Sequence, residues 1–422
     1  MFAALQPMRQ NLLQSHEIIS FAHLETLPQP MLKSIVLWSK RILLGIFVLV
    51  GITVVTLVFT GNSHIFRGIS KTYLVGKPNA DIDDMYLFDV STIPADHPQS
   101  WVLSPRLNQY APTQVQLNTM DSMQTTAFLV IKADSLIFEQ YWRDGGRDVV
   151  SNSFSMAKSF TSMMIGKAID EGYIKSVDQP VGDFIPEYST GANAQLTIRH
   201  LLTMTSGIPF GEDYSNPFGF MAKVYYGTDI EQQTLGYQVE KTPGTFWKYE
   251  GGNTLLLGMI IKRSTGRTPS EYFFQKFWSC IGAEHAAYWN LECPGGMEKT
   301  FSGFYATARD FARIGKLMLN RGTWANDTLL SPEFVDAVFM PCAVSDEKNE
   351  LCSWYGYQWW MGEHQGTAFQ CARGMLGQYI IMIPKDQLII VRLGHKQKPE
   401  RVRHMPPDIY TYIEAGYAAA GL

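Results

Sequence analysis

Ser153-Phe154-Ser155-Met156-Ala157-Lys158-Ser159-Phe160 opens the run from which the rest of the chain is read. It continues through Met163, Met164, Ile165, Ala168 and Ile169 and stops at Gly172. Met156, Phe160, Met163 or Met164, and Ala168 recur at steps of three and four, which predicts a helix with one buried face. On such a helix Ser155 and Lys158 are neighbours one turn apart. A serine hydroxyl is a poor nucleophile until a base takes its proton, and a partly desolvated lysine amine is able to be that base. The helix N-terminus adds N–H groups and a dipole that favour developing negative charge. These are the working parts of an S-x-x-K motif. A second copy, Ser345-Asp346-Glu347-Lys348, has no apolar helix behind it and reads as a solvated loop.

Composition narrows the class of protein. The 422 residues are enough for one large domain or two smaller ones. A hydrophobic content of 46% with 18% charged residues describes a globular chain that carries an apolar segment. The net charge is −4 and no long basic run occurs, so a nucleic-acid partner is not expected. The five cysteines fit no C-x-x-C or Cys/His zinc spacing, and the nine histidines include no H-E-x-x-H. Neither a metal nor another cofactor is expected.

Ile42 to Phe59 carries no charge and is long enough to span a bilayer. It is apolar on every face, and no clean small-residue cleavage site follows it. The expectation is an uncleaved, single-pass signal anchor over 42–60. Lys40 and Arg41 at its N-terminal end favour residues 1–41 inside and the bulk of the chain on the periplasmic or extracytoplasmic side of the cell (inner) membrane. Arg67, Lys71 and Lys77 on the far side dilute that signal, and Met31 is an alternative start.

Residues 61–115, rich in Pro, Asp and Asn, read as an irregular connector to a domain over 116–422. Thr126–Lys132 and Leu136–Trp142, separated by Ala133-Asp134-Ser135, predict a β-hairpin just before the Ser155 helix. Gln378–Ile383 and Gln387–Leu393 flank Pro384-Lys385-Asp386 and predict a second hairpin. Asp408–Ala420 predicts a closing helix. Further helices are expected at Leu196–Leu202, Asn253–Ile261 and Phe311–Leu319, the last with Arg309 and Asp310 at its start. Strands at both ends with helices between predict an α+β fold: an antiparallel sheet flanked by helices, with an inserted helical subdomain.

The order of landmarks is more specific than any one of them. NSFSMAKS, VDQPVGDFIPE, LLTMTSG, PGTFWKYEGGNTLLLG, FYATARDFARIGKLML, YGYQWW and ARGMLGQYI follow one another. In this the chain resembles the serine β-lactamase-related superfamily, and within it the class C-type branch of esterases, D-aminopeptidase-like enzymes and nylon-oligomer hydrolases. The resemblance covers roughly residues 120–420. It implies a β-lactamase/transpeptidase-like fold, with Ser155 as nucleophile and Lys158 as base. Tyr249 matches the tyrosine of the family's Y-x-N motif and is implied to pass the proton to the leaving group and to activate water. The backbone N–H groups of Ser155 and Met375 are implied to form the oxyanion hole.

Two departures bear on substrate. Tyr249-Glu250-Gly251 lacks the third-position Asn, although Asn253 is close by. Ala372-Arg373-Gly374 has Ala where a β-lactamase carries a Lys that attracts a carboxylate, which argues for an uncharged ester or amide. Arg373 follows, but neighbouring strand residues face opposite ways. Gly374 and Gly377 permit close backbone approach. Trp354, Tyr357, Trp359 and Trp360 line an acyl pocket or pack in the core. The expected substrate-side residues are therefore Asn253, Arg373, Gly374, Gly377 and Trp359. The sequence leaves open a D,D-peptidase or β-lactamase acting on the cell wall, and an inactive relative that binds peptidoglycan or a partner. Outside the cytoplasm Cys342 pairs with Cys352 and Cys280 with Cys293, or all five cysteines stay reduced. The oligomeric state is not legible.

Overall fold

The computed structural model describes residues 28–77 and 79–422. It divides into two compact units, Met1–Ser63 and His64–Leu422. The described part of the first is helix α1 (Gln29–Phe59), with Pro30 in the first turn, where a missing N–H costs nothing. None of its residues is buried, and it is long and apolar enough to cross a membrane. It begins N-terminal to the apolar run, so Lys33, Lys40 and Arg41 also lie on it. Residues 1–27 of the expected cytoplasmic segment fall outside the described residues.

The second unit starts with helix α2 (His64–Lys71), strands β1 (Val90–Ile93) and β2 (Val102–Leu103), and helix α3 (Gln114–Ser122). The first hairpin follows as β3 (Thr125–Lys132) and β4 (Ser135–Tyr141). After β5 (Ser151–Asn152) come helices α4 (Met156–Asp170), α5 (Ile198–Leu202), α6 (Phe220–Tyr226) and α7 (Gly252–Thr265). Strands β6 (Ala287–Asn290) and β7 (Phe304–Ala306) lead into α8 (Ala308–Leu319). The chain ends with β8 (Trp360–His364), β9 (Thr367–Gly374), β10 (Gln378–Ile383), β11 (Leu388–Gly394) and helix α9 (Asp408–Ala420).

The main sheet has seven strands in the order β8-β9-β10-β11-β3-β4-β2. Its C-terminal hairpin sits beside its N-terminal one, with Val130 opposite Ile390 and Leu129 opposite Val391. The sheet is antiparallel except at one edge, where β2 runs parallel to β4. Period-two alternation gives it two apolar faces. Leu129, Ile131, Ile380, Met382, Ile389 and Val391 join one core with α4 and α8, whereas Phe128, Val130, Ile381, Ile383 and Ile390 join a second with α9. Each such fully buried aliphatic side chain contributes about 1.5–3 kcal/mol. Helix α8 comes close to the sheet at Gly315, where a Cβ would meet Ile380 and Ile389 at 2.8 Å.

Residues 61–115 differ from the expected irregular connector. They supply β1, which pairs with β6 at the edge of a four-stranded sheet ordered β1-β6-β7-β5, and they bury Ile82, Ile93 and Trp101. A four-residue strand whose partner lies almost two hundred positions away leaves little periodic signal of its own. Arg309 and Asp310 occupy the first turn of α8, capped by Thr307. Arg309 grips the Glu139 carboxylate with two nitrogens at 2.9 and 2.5 Å, which ties α8 to β4.

Candidate active site

The small sheet positions the start of α4. Ser151 and Asn152 pair with Ala306 and Tyr305, and the Ser153 N–H donates to Phe304 O at 2.7 Å. Phe154 then takes φ +44°, a left-handed conformation costly for a bulky residue. Asn152 holds it there, its Oδ1 accepting from the Phe154 N–H at 2.8 Å and its Nδ2 donating to Tyr305 at 3.1 Å. This sharp turn delivers Ser155 to the N-cap position of α4, where its hydroxyl makes no capping hydrogen bond.

One turn on, Lys158 is fully buried. Its Nζ lies 3.0 Å from Ser155 Oγ and 3.0 Å from Phe301 O. The amine also stands 4.9 Å from the centre of the Tyr249 ring and 5.5 Å from that of Phe301. Tyr249 is wedged between Trp360 and Tyr355, with ring centres at 5.6 and 6.0 Å. Its neighbours along the chain are tethered. Lys248 N–H donates to Met204 O at 2.9 Å, and the Gly251 N–H donates to Glu212 Oε2 at 2.6 Å. The buried Glu250 accepts from the Phe210 N–H at 2.6 Å and pairs with Lys248 at 2.7 Å. Burial raises the Glu250 carboxyl above its ordinary range, against the pull of Lys248.

The far wall is the turn after β9. Gly374 allows that strand to close on the nucleophile segment, because a Cβ there would lie 2.1 Å from Ser153 O. The turn that follows, Met375–Gly377, is fixed from beneath by Arg392. This buried guanidinium donates to Leu376 O and Gly377 O, both at 2.8 Å, and to Met123 O at 2.6 Å. Among the described residues, the N–H groups of Ser155 and Met375 have no other acceptor, so both are free to face a ligand.

A cavity of about 350 Å³ opens over Ser155. Phe154, Tyr214, Met221, Ala222, Tyr225, Tyr226 and Phe301 give it a mainly apolar lining, with Asn79, Ala80, Ser302, Met375 and Leu376 at its edge. Among the described residues, no lysine or arginine lines it. Tyr214 is one of the lining residues that the sequence did not single out. It sits in the loop after Gly211, half exposed, its hydroxyl donates to Glu212, and its side chain lines the same cavity as Ser155. A tyrosine among polar loop residues gives no periodic signal; loop placement is the one hint available.

Ser155, Lys158, Tyr249 and Met375 therefore converge, although Tyr249 meets the group through Lys158 and does not line the cavity. The five residues expected on the substrate side do not line it either. Trp359 is fully buried and packs edge-to-face on Phe339, so its role is in the core. Asn253 is buried on α7, its Nδ2 3.4 Å from the Met204 sulfur. Arg373 lies over the Trp360 ring at 3.6 Å and donates to His404 O at 2.8 Å. Gly377 belongs to the turn clasped by Arg392, where a Cβ would come within 2.4 Å of the guanidinium. Gly374 acts through the strand approach already described.

Other expectations resolve away from the site. The second S-x-x-K lies in a loop closed by a Ser345–Leu351 bridge. There Asp346, Glu350 and His404 bring ligand atoms within 4.8 Å of one another, but Asp346 Oδ1 already accepts from the N–H groups of Lys348 and Glu350. All five cysteines are free, and the Cys280 thiol donates to Gln275 O.

Comparison with known proteins agrees with this architecture. The family model described as Beta-lactamase matches residues 114–410, and the chain belongs to this family, within the serine β-lactamase-related superfamily of hydrolases. The 6-aminohexanoate-dimer hydrolase of Paenarthrobacter ureafaciens is 26% identical over 304 residues, which cover 66% of this chain and 74% of that protein. A solved Bacillus anthracis structure, provisionally named as a 6-aminohexanoate-dimer hydrolase, superposes with a TM-score of 0.68 at 21% identity, covering 79% of this chain and 92% of that one. A family VIII carboxylesterase superposes with a TM-score of 0.59 at 16% identity, covering 78% and 100%. These two structural likenesses concern the fold. They fit the α+β reading with its helical insertion.

Proposed function

We propose that this protein is a membrane-anchored serine hydrolase that cleaves an uncharged ester or amide through an acyl-Ser155 intermediate. The observation that carries the reading is the 3.0 Å contact between Lys158 Nζ and Ser155 Oγ at the floor of an apolar cavity. Lys158 takes the proton as Ser155 Oγ attacks the carbonyl carbon. The carbonyl oxygen becomes an oxyanion, stabilised by the N–H groups of Ser155 and Met375. Tyr249, next to the amine, relays the proton to the departing alcohol or amine and later draws it from the water that releases the acid. Tyr214, which shares the cavity lining with Ser155, offers a second hydroxyl on the leaving-group side.

The lining supports an uncharged acyl group: among the described residues it holds no lysine or arginine to meet a carboxylate. The amide hydrolysed by the Paenarthrobacter relative and the ester class of the carboxylesterase mark the two bond types to test. In this reading the apolar stretch 42–60 is a single-pass anchor, residues 1–41 face the cytoplasm, and the unit from His64 onward, with β1 and β2 as part of it, forms the hydrolase on the periplasmic side of the inner membrane. The test is hydrolysis of p-nitrophenyl acetate and butyrate by the full chain beside Ser155→Ala. Activity lost in the variant supports the reading; equal rates in both overturn it.

A further inference from the structure

The outward face of α2 and the turn after it is apolar. Phe66, Ile69 and Tyr73 follow at steps of three and four and are 36%, 42% and 71% exposed; Leu74 and Val75 continue the surface at 77% and 43%. The opposite face turns inward. His64 Nε2 lies 2.8 Å from Pro217 O, Gly68 abuts the Tyr226 ring, and Thr72 is buried. The cations of the helix also point into the protein. Arg67 donates to Glu292 O at 3.0 Å, and Lys71 donates to Leu87 O with its amine 4.6 Å from the Phe88 ring. Beside the exposed Ser70, what remains outside is a strip of aromatic and aliphatic side chains, not the scattered exposure usual on a monomer surface.

Its place in the chain indicates what covers it. Residues 60–63 are all that separate Phe59, the end of α1, from His64. Even fully extended, that stretch spans no more than about 18 Å. A bilayer crossed by α1 adds roughly 5–7 Å of headgroup layer beyond its hydrocarbon edge, within reach of this strip. Tyrosine and aliphatic residues on one side of a short helix suit that layer.

We propose that the face formed by Phe66, Ile69, Tyr73, Leu74 and Val75 seats in the interfacial layer of the membrane. The proposal rests on reading α1 as a span. It has a consequence for the site. The inner face of α2 packs on α6, which carries Tyr225 and Tyr226 into the Ser155 cavity, so the cavity wall and the lipid contact are two sides of one helix pair.

The experiment uses the full chain in vesicles of phosphatidylcholine and phosphatidylglycerol, with p-benzoylphenylalanine replacing Leu74, Phe47 on α1, or the exposed Leu351. After irradiation, lipid adducts are read by mass. The proposal expects adducts at positions 47 and 74, several-fold above those at 351. Adducts at 47 with only background at 74 overturn the lipid contact and leave the anchor standing. Background at both overturns the anchor and the proposal together. Equal adducts at 74 and 351, or a cross-link from 74 into a second copy of the chain, also overturn it.

Discussion

The Phe301 carbonyl oxygen stands 3.0 Å from Lys158 Nζ, the same distance that separates the amine from Ser155 Oγ. A backbone oxygen on one side and the hydroxyl on the other fix a buried side chain that has four rotatable bonds. Among the described residues the amine has no carboxylate partner. Replacing it by a neutral chain of similar length therefore leaves no stranded charge. Lys158→Met strands only the Phe301 carbonyl, a cost of about 1–3 kcal/mol, so it should fold with a modestly lower Tm and lose about 10²–10⁴-fold in kcat for p-nitrophenyl butyrate. Circular dichroism melts beside steady-state rates check both halves.

Arg392 is a positioning residue for the Met375–Gly377 turn. It touches Leu376 O and Gly377 O but does not line the cavity. Arg392→Met leaves buried carbonyls without donors at a cost of about 1–3 kcal/mol and loosens the Met375 N–H. We expect kcat to fall about 10²-fold with KM nearly unchanged, the pattern of a lost transition-state contact. A rise in KM at constant kcat would show that the turn binds substrate instead.

Ala222 offers a test of the cavity as the acyl pocket. It lines the chamber beside Met221 and Tyr225, and a larger side chain there takes up room. Ala222→Leu should lower kcat/KM for p-nitrophenyl butyrate about tenfold or more relative to acetate. An unchanged ratio would place the acyl chain elsewhere.

A pH-dependent clamp holds the edge of the same cavity. His395 Nδ1 lies 2.6 Å from Asp81 and Nε2 3.0 Å from Asp144, and Asp81 directly follows the lining residues Asn79 and Ala80. The hydrogen bond to Asp81 raises the imidazole to about 9. A group raised above its unfolded value adds stability that is complete below about pH 6.5 and lost as pH rises through about 9. With Asp144 51% exposed, screening leaves about 2 kcal/mol of this. Urea denaturation of the parent and His395→Asn should differ by that amount at pH 6 and converge at pH 10.

Legibility in the sequence followed the range of the interactions. Both hairpins, α4 and α9 are local patterns of period and punctuation, and each lies within a residue or two of its expected bounds. Ser155 and Lys158 were readable for the same reason, being one turn apart. Tyr249 needed the order of distant landmarks. What stayed hidden was assembled across the chain: β1 against β6, Tyr214 in the same cavity as Ser155, and Arg392 beneath a turn sixteen residues earlier. Trp359 shows the limit within a single motif. An aromatic run reads alike whether it lines a pocket or fills a core, and Phe339, which decides between the two, lies twenty residues upstream.

The central claim is that Lys158 makes Ser155 a nucleophile. The most direct measurement is intact mass of the full chain after treatment with a fluorophosphonate, followed by peptide mapping, in the parent, Ser155→Ala and Lys158→Met. The account predicts one phosphonyl group on Ser155 in the parent, none in Ser155→Ala, and slowed labelling at the same residue in Lys158→Met. Labelling that persists in Ser155→Ala, or a rate unaffected by loss of Lys158, would contradict it.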